Sequence, residues 1–112
     1  MGANIEYDKN TANNFTPIGY NINPFYGTFD GDGKTISGIN INRPYTKYQG
    51  IFGVINKEAT VKNVNLDNTT ILGNDYTAGI AGMSEGTVSG CTVSGLNPEC
   101  AGCPSGLACK FA

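Results

Sequence analysis

Apolar positions recur along this chain in three heptapeptides of one form. They are Thr35-Ile36-Ser37-Gly38-Ile39-Asn40-Ile41, Thr60-Val61-Lys62-Asn63-Val64-Asn65-Leu66 and Thr87-Val88-Ser89-Gly90-Cys91-Thr92-Val93. Each reads Thr, apolar, polar, Gly or Asn, apolar, polar, apolar, and the starts at 35, 60 and 87 are 25 and 27 residues apart. The last three positions alternate with period two, as in a half-buried strand. The longer step falls at Gly38, Asn63 and Gly90, residue types that tolerate positive φ and let the chain bend between two short strands. Strand, bend, strand and a loop of variable length make one coil of a solenoid, whose equivalent strands stack in parallel about 4.8 Å apart. The alignment predicts three internal ladders: Ile36 with Val61 and Val88, Ile39 with Val64 and Cys91, and Ile41 with Leu66 and Val93. Upstream of the heptapeptides, Tyr26-Gly27-Thr28-Phe29-Asp30-Gly31, Gln49-Gly50-Ile51-Phe52-Gly53 and Ala78-Gly79-Ile80-Ala81-Gly82 also align, which adds Phe29 and Phe52 to the core.

No window sustains the 3.6-residue period of a helix, because Gly or β-branched residues interrupt each one. The fold class expected is all-β, a parallel β-helix or β-solenoid of about three to five short coils, with an antiparallel sandwich as the alternative. Three repeats are enough for stacked units to bury a continuous core. The segment Ile5 to Tyr20 lacks the heptapeptide and is expected to be a cap or an incomplete first coil, since terminal repeats must cover unpaired backbone. This divides the chain into a solenoid with a cap-like N-terminal segment over 1–95 and a Cys-rich tail over 96–112, packed on the solenoid or capping it.

Phe15-Thr16-Pro17-Ile18-Gly19, Phe25-Tyr26-Gly27-Thr28-Phe29-Asp30-Gly31-Asp32-Gly33-Lys34-Thr35-Ile36 and Gly50-Ile51-Phe52-Gly53 resemble GLUG-type repeats of bacterial secreted and cell-wall proteins. The likeness covers about residues 14–95, and the phrase from Phe29 to Ile36 is its most specific part. It implies right-handed parallel β-helix coils and a surface-exposed spacer, stalk or adhesin-like binding module. Some proteins with such repeats are metallopeptidases, whose zinc-binding helix motif needs two histidines. This chain has none, so that activity does not carry over. The tail after Gly95 has no counterpart in the repeats.

Composition narrows the function. At 112 residues the chain is one domain's worth, and charged residues make up only 14% with a formal net charge of −2. No basic field exists to hold nucleic acid by counterion release. No apolar run approaches the roughly 20 residues needed to span a bilayer, so no membrane insertion is expected. Met1 to Glu6 carries no basic segment leading into an apolar one, so any export signal is expected to be gone or never included. The absence of His removes the Ser-His-Asp and Cys-His arrangements and the commonest general base.

Four clusters invite chemistry. Cys91, Cys100, Cys103 and Cys109 make an even count near one end, which points to two disulfides in a tail that buries little. The competing reading is a four-thiolate zinc site using the Cys100-x-x-Cys103 spacing. Asp30-Gly31-Asp32-Gly33 suggests calcium, but a loop begun at Asp30 puts Thr35 at the Gly position and Ile41 at the bidentate Glu position, so a tight turn explains it better. Asp30, Asp32, Asp67 and Asp75 are candidate acids for polysaccharide chemistry, against solvated turn residues. Tyr20, Tyr26, Tyr45, Tyr48 and Tyr76 lie in or beside the variable loops, where rings can stack on sugar faces or cover the flank of the solenoid.

The expected function is a non-enzymatic, extracellular structural or adhesion module at the bacterial cell surface, a stiff rod that presents loop residues to other protein subunits or to surface glycans, with no cofactor and no metal. Two alternatives are a subunit of an extracellular filament, built by end-to-end stacking of open coil faces, and a carbohydrate-binding or carbohydrate-active domain.

Overall fold

The computed structural model describes residues 2–99 and 108–111, of which 95–99 and 108–111 by their backbone alone. Among the described residues there are eleven short strands and no helix. They are β1 (Ile5–Glu6), β2 (Thr28–Asp30), β3 (Thr35–Ser37), β4 (Asn40–Asn42), β5 (Phe52–Ile55), β6 (Thr60–Lys62), β7 (Asn65–Leu72), β8 (Ala81–Ser84), β9 (Thr87–Ser89), β10 (Thr92–Glu99) and β11 (Ala108–Phe111). Every strand pair is parallel, and the strands form three sheets. The first runs β1-β3-β7-β10 with β4 also paired to β7, the second β11-β8-β5 and the third β2-β6-β9. The chain visits the sheets in turn and returns to the first, so the fold is a β-solenoid of about three turns.

The register corrects the predicted ladders. Val61 lies opposite Val88 and Leu66 opposite Val93, both 27 positions on (61 to 88, 66 to 93). Ile36, however, lies opposite Leu66, and Ile41 opposite Ile71, both 30 positions on (36 to 66, 41 to 71). The residue stacked on Val61 from the preceding coil is Phe29. The first heptapeptide is thus displaced by one sheet: Thr35–Ser37 enters the first sheet, whereas Thr60–Lys62 and Thr87–Ser89 lie in the third. The reason is the corner between third and first sheets. It takes two residues after β6 (Asn63, Val64) and two after β9 (Gly90, Cys91), but four after β2 (Gly31, Asp32, Gly33, Lys34). Asn63 and Gly90 share that corner at φ 57° and 61°, while Gly38 shares the next corner with Asn68, at 79° and 47°.

Phe52 does not stack on Phe29 either. It pairs with Ala81 and bridges to Ile18, and its ring meets that of Phe29 edge-on across the interior at 5.4 Å between centroids. Ile5 paired with Ile36, and Ile18 with Phe52, place the N-terminal segment as a further partial coil.

The interior is continuous. Ile36, Ile39, Ile41, Phe52, Val61, Val64 and Leu66 are buried, with Ile51, Ile55, Ile71 and Ile80 beside them. Phe29, Val88, Cys91 and Val93 are half-buried against the same cluster. Each fully buried side chain of this size contributes about 1.5–3 kcal/mol of hydrophobic stabilisation. Asparagine supplies pairing where the N-terminal coil has no strand. Asn14 Nδ2 donates to the carbonyls of Asp8 and Gly38, its Oδ1 accepts from the Asn40 amide, and Asn40 Nδ2 donates to the Lys9 carbonyl. Strand β10 runs from Thr92 to Glu99, through the position where composition changes, and β11 pairs with β8.

Candidate functional site

Between the N-terminal coil and the next lies a cleft of about 370 Å³. One wall comes from Thr16, Pro17, Gly19, Tyr20, Ile22 and Asn23, the other from Arg43, Thr46 and Gln49. The first wall turns sharply because Gly19 sits at φ 85° against the Phe25 amide and the Val54 carbonyl, where any Cβ would come within 2.6 Å of both. The chain then closes a tight turn in which the Tyr20 amide donates to the Asn23 carbonyl (3.0 Å) and the Asn23 amide to the Tyr20 carbonyl (3.1 Å). This turn holds Ile22 out in solvent, 88% exposed, and leaves Tyr20 50% exposed.

Arg43 leaves β4 with its amide bonded to the Leu72 carbonyl. Its Nη1 donates to the Phe15 carbonyl (3.2 Å) and more weakly to Gln49 Oε1 (3.5 Å). Gln49 is itself buried, and its Nε2 donates to the Lys47 carbonyl (2.9 Å). The guanidinium is therefore fixed across two coils. Among the described residues the ion pair present is Lys47 with Asp75 at 4.0 Å, and no carboxylate lies within that distance of Arg43.

The candidate tyrosines separate. Tyr20 lines the cleft; Tyr45, 91% exposed, stands in the connection between Arg43 and Thr46; Tyr26 is exposed just ahead of β2. Tyr48 and Tyr76 form a stack, with centroids 5.1 Å apart and planes within 7°, both at positive φ beside the bridge from Gln49 to Thr77. They are half-buried and cover the flank between two coils.

Three of the four candidate acids, Asp30, Asp67 and Asp75, are engaged by groups of their own turn or of a neighbouring coil, and Asp32 stands exposed in the turn after β2. Asp30 Oδ1 accepts from the Asp32 amide (2.9 Å) and from Asn63 Nδ2 (3.2 Å), and these bonds hold its carboxyl below the usual carboxylate range. Asp67 Oδ1 accepts from Ser94 Oγ and the Asn68 amide, and Asp75 faces Lys47. Among the described residues no three His, Cys, Asp or Glu side chains gather as metal ligands.

Cys100 and Cys103 lie outside the described residues, as does the side chain of Cys109, so the disulfide and zinc readings fall there too. Among the described residues Cys91 is a free, half-buried thiol, with Sγ 3.4 Å from the Ser89 carbonyl. Burial pushes its pKa up from 9.0. At pH 8 the folded protein is expected to react with iodoacetamide at Cys91 several-fold more slowly than the same chain in urea, measured by mass spectrometry. Because the folded pKa is the higher one, the linked stability is complete below pH 9 and falls as pH rises through the folded value. Equal rates in folded and unfolded chains would contradict the burial of this thiol.

Arg43, Gln49, Ile22 and Asn23 were not signalled by the heptapeptides. The one available hint is that Arg43 is the chain's only arginine. Chemically, the cleft offers a fixed cation, a ring face, hydroxyls and amides, the equipment of recognition.

No family model and no solved structure matches the chain. It is 34% identical over 96 residues to halomucin of Haloquadratum walsbyi, an alignment that covers 83% of this chain and 1% of that protein. It is 38% identical over 80 residues to a protein of Evansella cellulosilytica described as a Gly-rich membrane protein, covering 69% of this chain and 9% of that one. The chain thus spans a small fraction of the length of either relative.

Proposed function

We propose that this chain is a non-catalytic module of an extracellular surface protein, a stiff stack of coils whose lateral loops engage protein subunits or surface glycans. The observation that carries the reading is the combination of an in-register solenoid with its relatives. The chain aligns along most of its own length with small parts of two much longer proteins, one named halomucin and the other described as a Gly-rich membrane protein. A unit that buries a continuous core through coil-on-coil contact suits a spacer, because each coil stiffens its neighbours. The loops carry what varies, including the turn at Tyr20 and the connection through Tyr45. The likeness to GLUG-type repeats agrees with this role.

An antibody against the module is expected to label intact cells of the organism that makes it, and protease added outside the cells is expected to remove the label. Labelling obtained only after lysis would overturn the surface assignment.

A further inference from the structure

We propose that the cleft between the first two coils binds a glycan through a carboxylate-bearing sugar, a uronate unit, with Arg43 holding the acid and Tyr20 stacking on the ring. This rests on the reading of the lateral loops as a partner-binding surface and names the chemistry they take.

The charge argument comes first. Arg43 is planar, permanently charged and a donor only, and its geometry matches a carboxylate two bonds at a time. Nη1 is spent on the Phe15 carbonyl, with Gln49 Oε1 at the limit of bonding distance, and both acceptors are neutral. No carboxylate among the described residues balances the cation, although nine Asp and Glu occur in the chain and Lys47 nearby has Asp75. An anchored guanidinium in a cleft wall without a counter-ion is complementary to a bound anion. A single cation in a chain of net charge −2 fits a monoanion such as a carboxylate better than a phosphate dianion.

The rest of the cleft identifies what carries the acid. Its volume of about 370 Å³ falls at the small end of ligand sites, the scale of one or two sugar rings. Tyr20 offers a half-exposed ring on a turn closed by two backbone bonds, so its position is set before ligand arrives. Ile22 extends the apolar surface beside it. Thr16, Thr46 and Asn23 bring hydroxyl and amide groups to the same cleft, able both to donate to and accept from sugar hydroxyls. A stacking face, an apolar edge, neutral polar groups and one cation together describe an acidic sugar.

The test is an amide NMR titration of the purified chain with digalacturonate, its dimethyl ester and a short peptide ending in a free carboxylate. Digalacturonate is expected to shift the amides of residues 16–23 and 43–49, to bind about 10-fold or more tightly than the ester, and to weaken as salt is raised. Arg43→Gln and Tyr20→Ala should each reduce affinity severalfold to about 10-fold, with Arg43→Lys intermediate because it keeps the charge and loses the fork. The comparison of acid with ester uses the unaltered chain, so it stands even where Arg43→Gln loosens the coil. Equal binding of acid and ester, shifts elsewhere on the solenoid, or preference for the peptide would overturn the proposal. The two readings fail separately: a chain that labels on intact cells but ignores digalacturonate removes this site alone, and one that binds it but labels only after lysis removes the location alone.

Discussion

Replacing Phe52 by alanine is expected to cost about 3–5 kcal/mol, a large part of the roughly 5–15 kcal/mol that holds a domain of this kind together. Phe52 has no exposed surface. Its ring packs on Phe25 at 4.9 Å and on Phe29 at 5.4 Å, so one truncation strips contacts from two other aromatic side chains. The next coil places only Ala81 opposite it, and no larger side chain stands there to fill the hole. The bridge from Ile18 to Phe52 passes the loss on to the N-terminal coil. Urea denaturation followed by circular dichroism measures the effect. Phe52→Leu should lose less, and Tyr45→Ala, at a ring 91% exposed, should stay within about 0.5 kcal/mol of the parent. A loss below about 1 kcal/mol for Phe52→Ala would mean that the three rings do not share one interior.

That interior was legible in the sequence only in part, and the boundary has a physical cause. The second and third heptapeptides stack at their own spacing, Val61 under Val88 and Leu66 under Val93, because both coils turn the same corner with two residues. The first heptapeptide looks the same and occupies a different place. At three bends of this solenoid a residue at positive φ precedes an inward-facing side chain: Gly38 precedes Ile39, Asn63 precedes Val64, and Asn68, within β7, precedes Thr69. A seven-residue pattern records one corner and does not say which one. What separates them is the four-residue connection from Gly31 to Lys34, which reads as an ordinary turn until Gly31 and Gly33 are seen donating to the Lys62 and Asn63 carbonyls of the coil above. The aromatic alignment misleads in the same way, since Phe29 and Phe52 follow similar glycine-rich phrases yet belong to different sheets.

The cleft was still harder to see. Tyr20 could be singled out as a ring in a turn, but Arg43 stands in a loop beside Pro44 with no periodic neighbour. Its partner carbonyl on Phe15 is 28 positions away. Only the closing of a coil brings the two together, and the residues required to close it belong to loops whose lengths differ from coil to coil. The proposed site depends on the part of the repeat that does not repeat.

Gly38→Ala tests that dependence, and we expect it to cost roughly 2–4 kcal/mol. Gly38 sits at φ 79°, and a Cβ there would run into the Tyr7 carbonyl oxygen, backbone that has no rotamer to give. The same place is where the N-terminal coil is fastened: the Tyr7 amide donates to the Ser37 carbonyl, the Gly38 amide to Asn68, and Asn14 Nδ2 to the Gly38 carbonyl. Hydrogen exchange should therefore show protection lost first at Tyr7 and Asn14, with β6 to β9 little changed, because coils fail from the end. Asn68→Gly, at the equivalent corner with φ 47° and an exposed side chain, should stay within about 0.5 kcal/mol of the parent. Loosening the N-terminal coil also carries Phe15 away from Arg43, so Gly38→Ala should weaken digalacturonate binding without touching a single group in the cleft. Unchanged exchange at Tyr7 would place Gly38 at a different corner and undo the register from which the cleft is built.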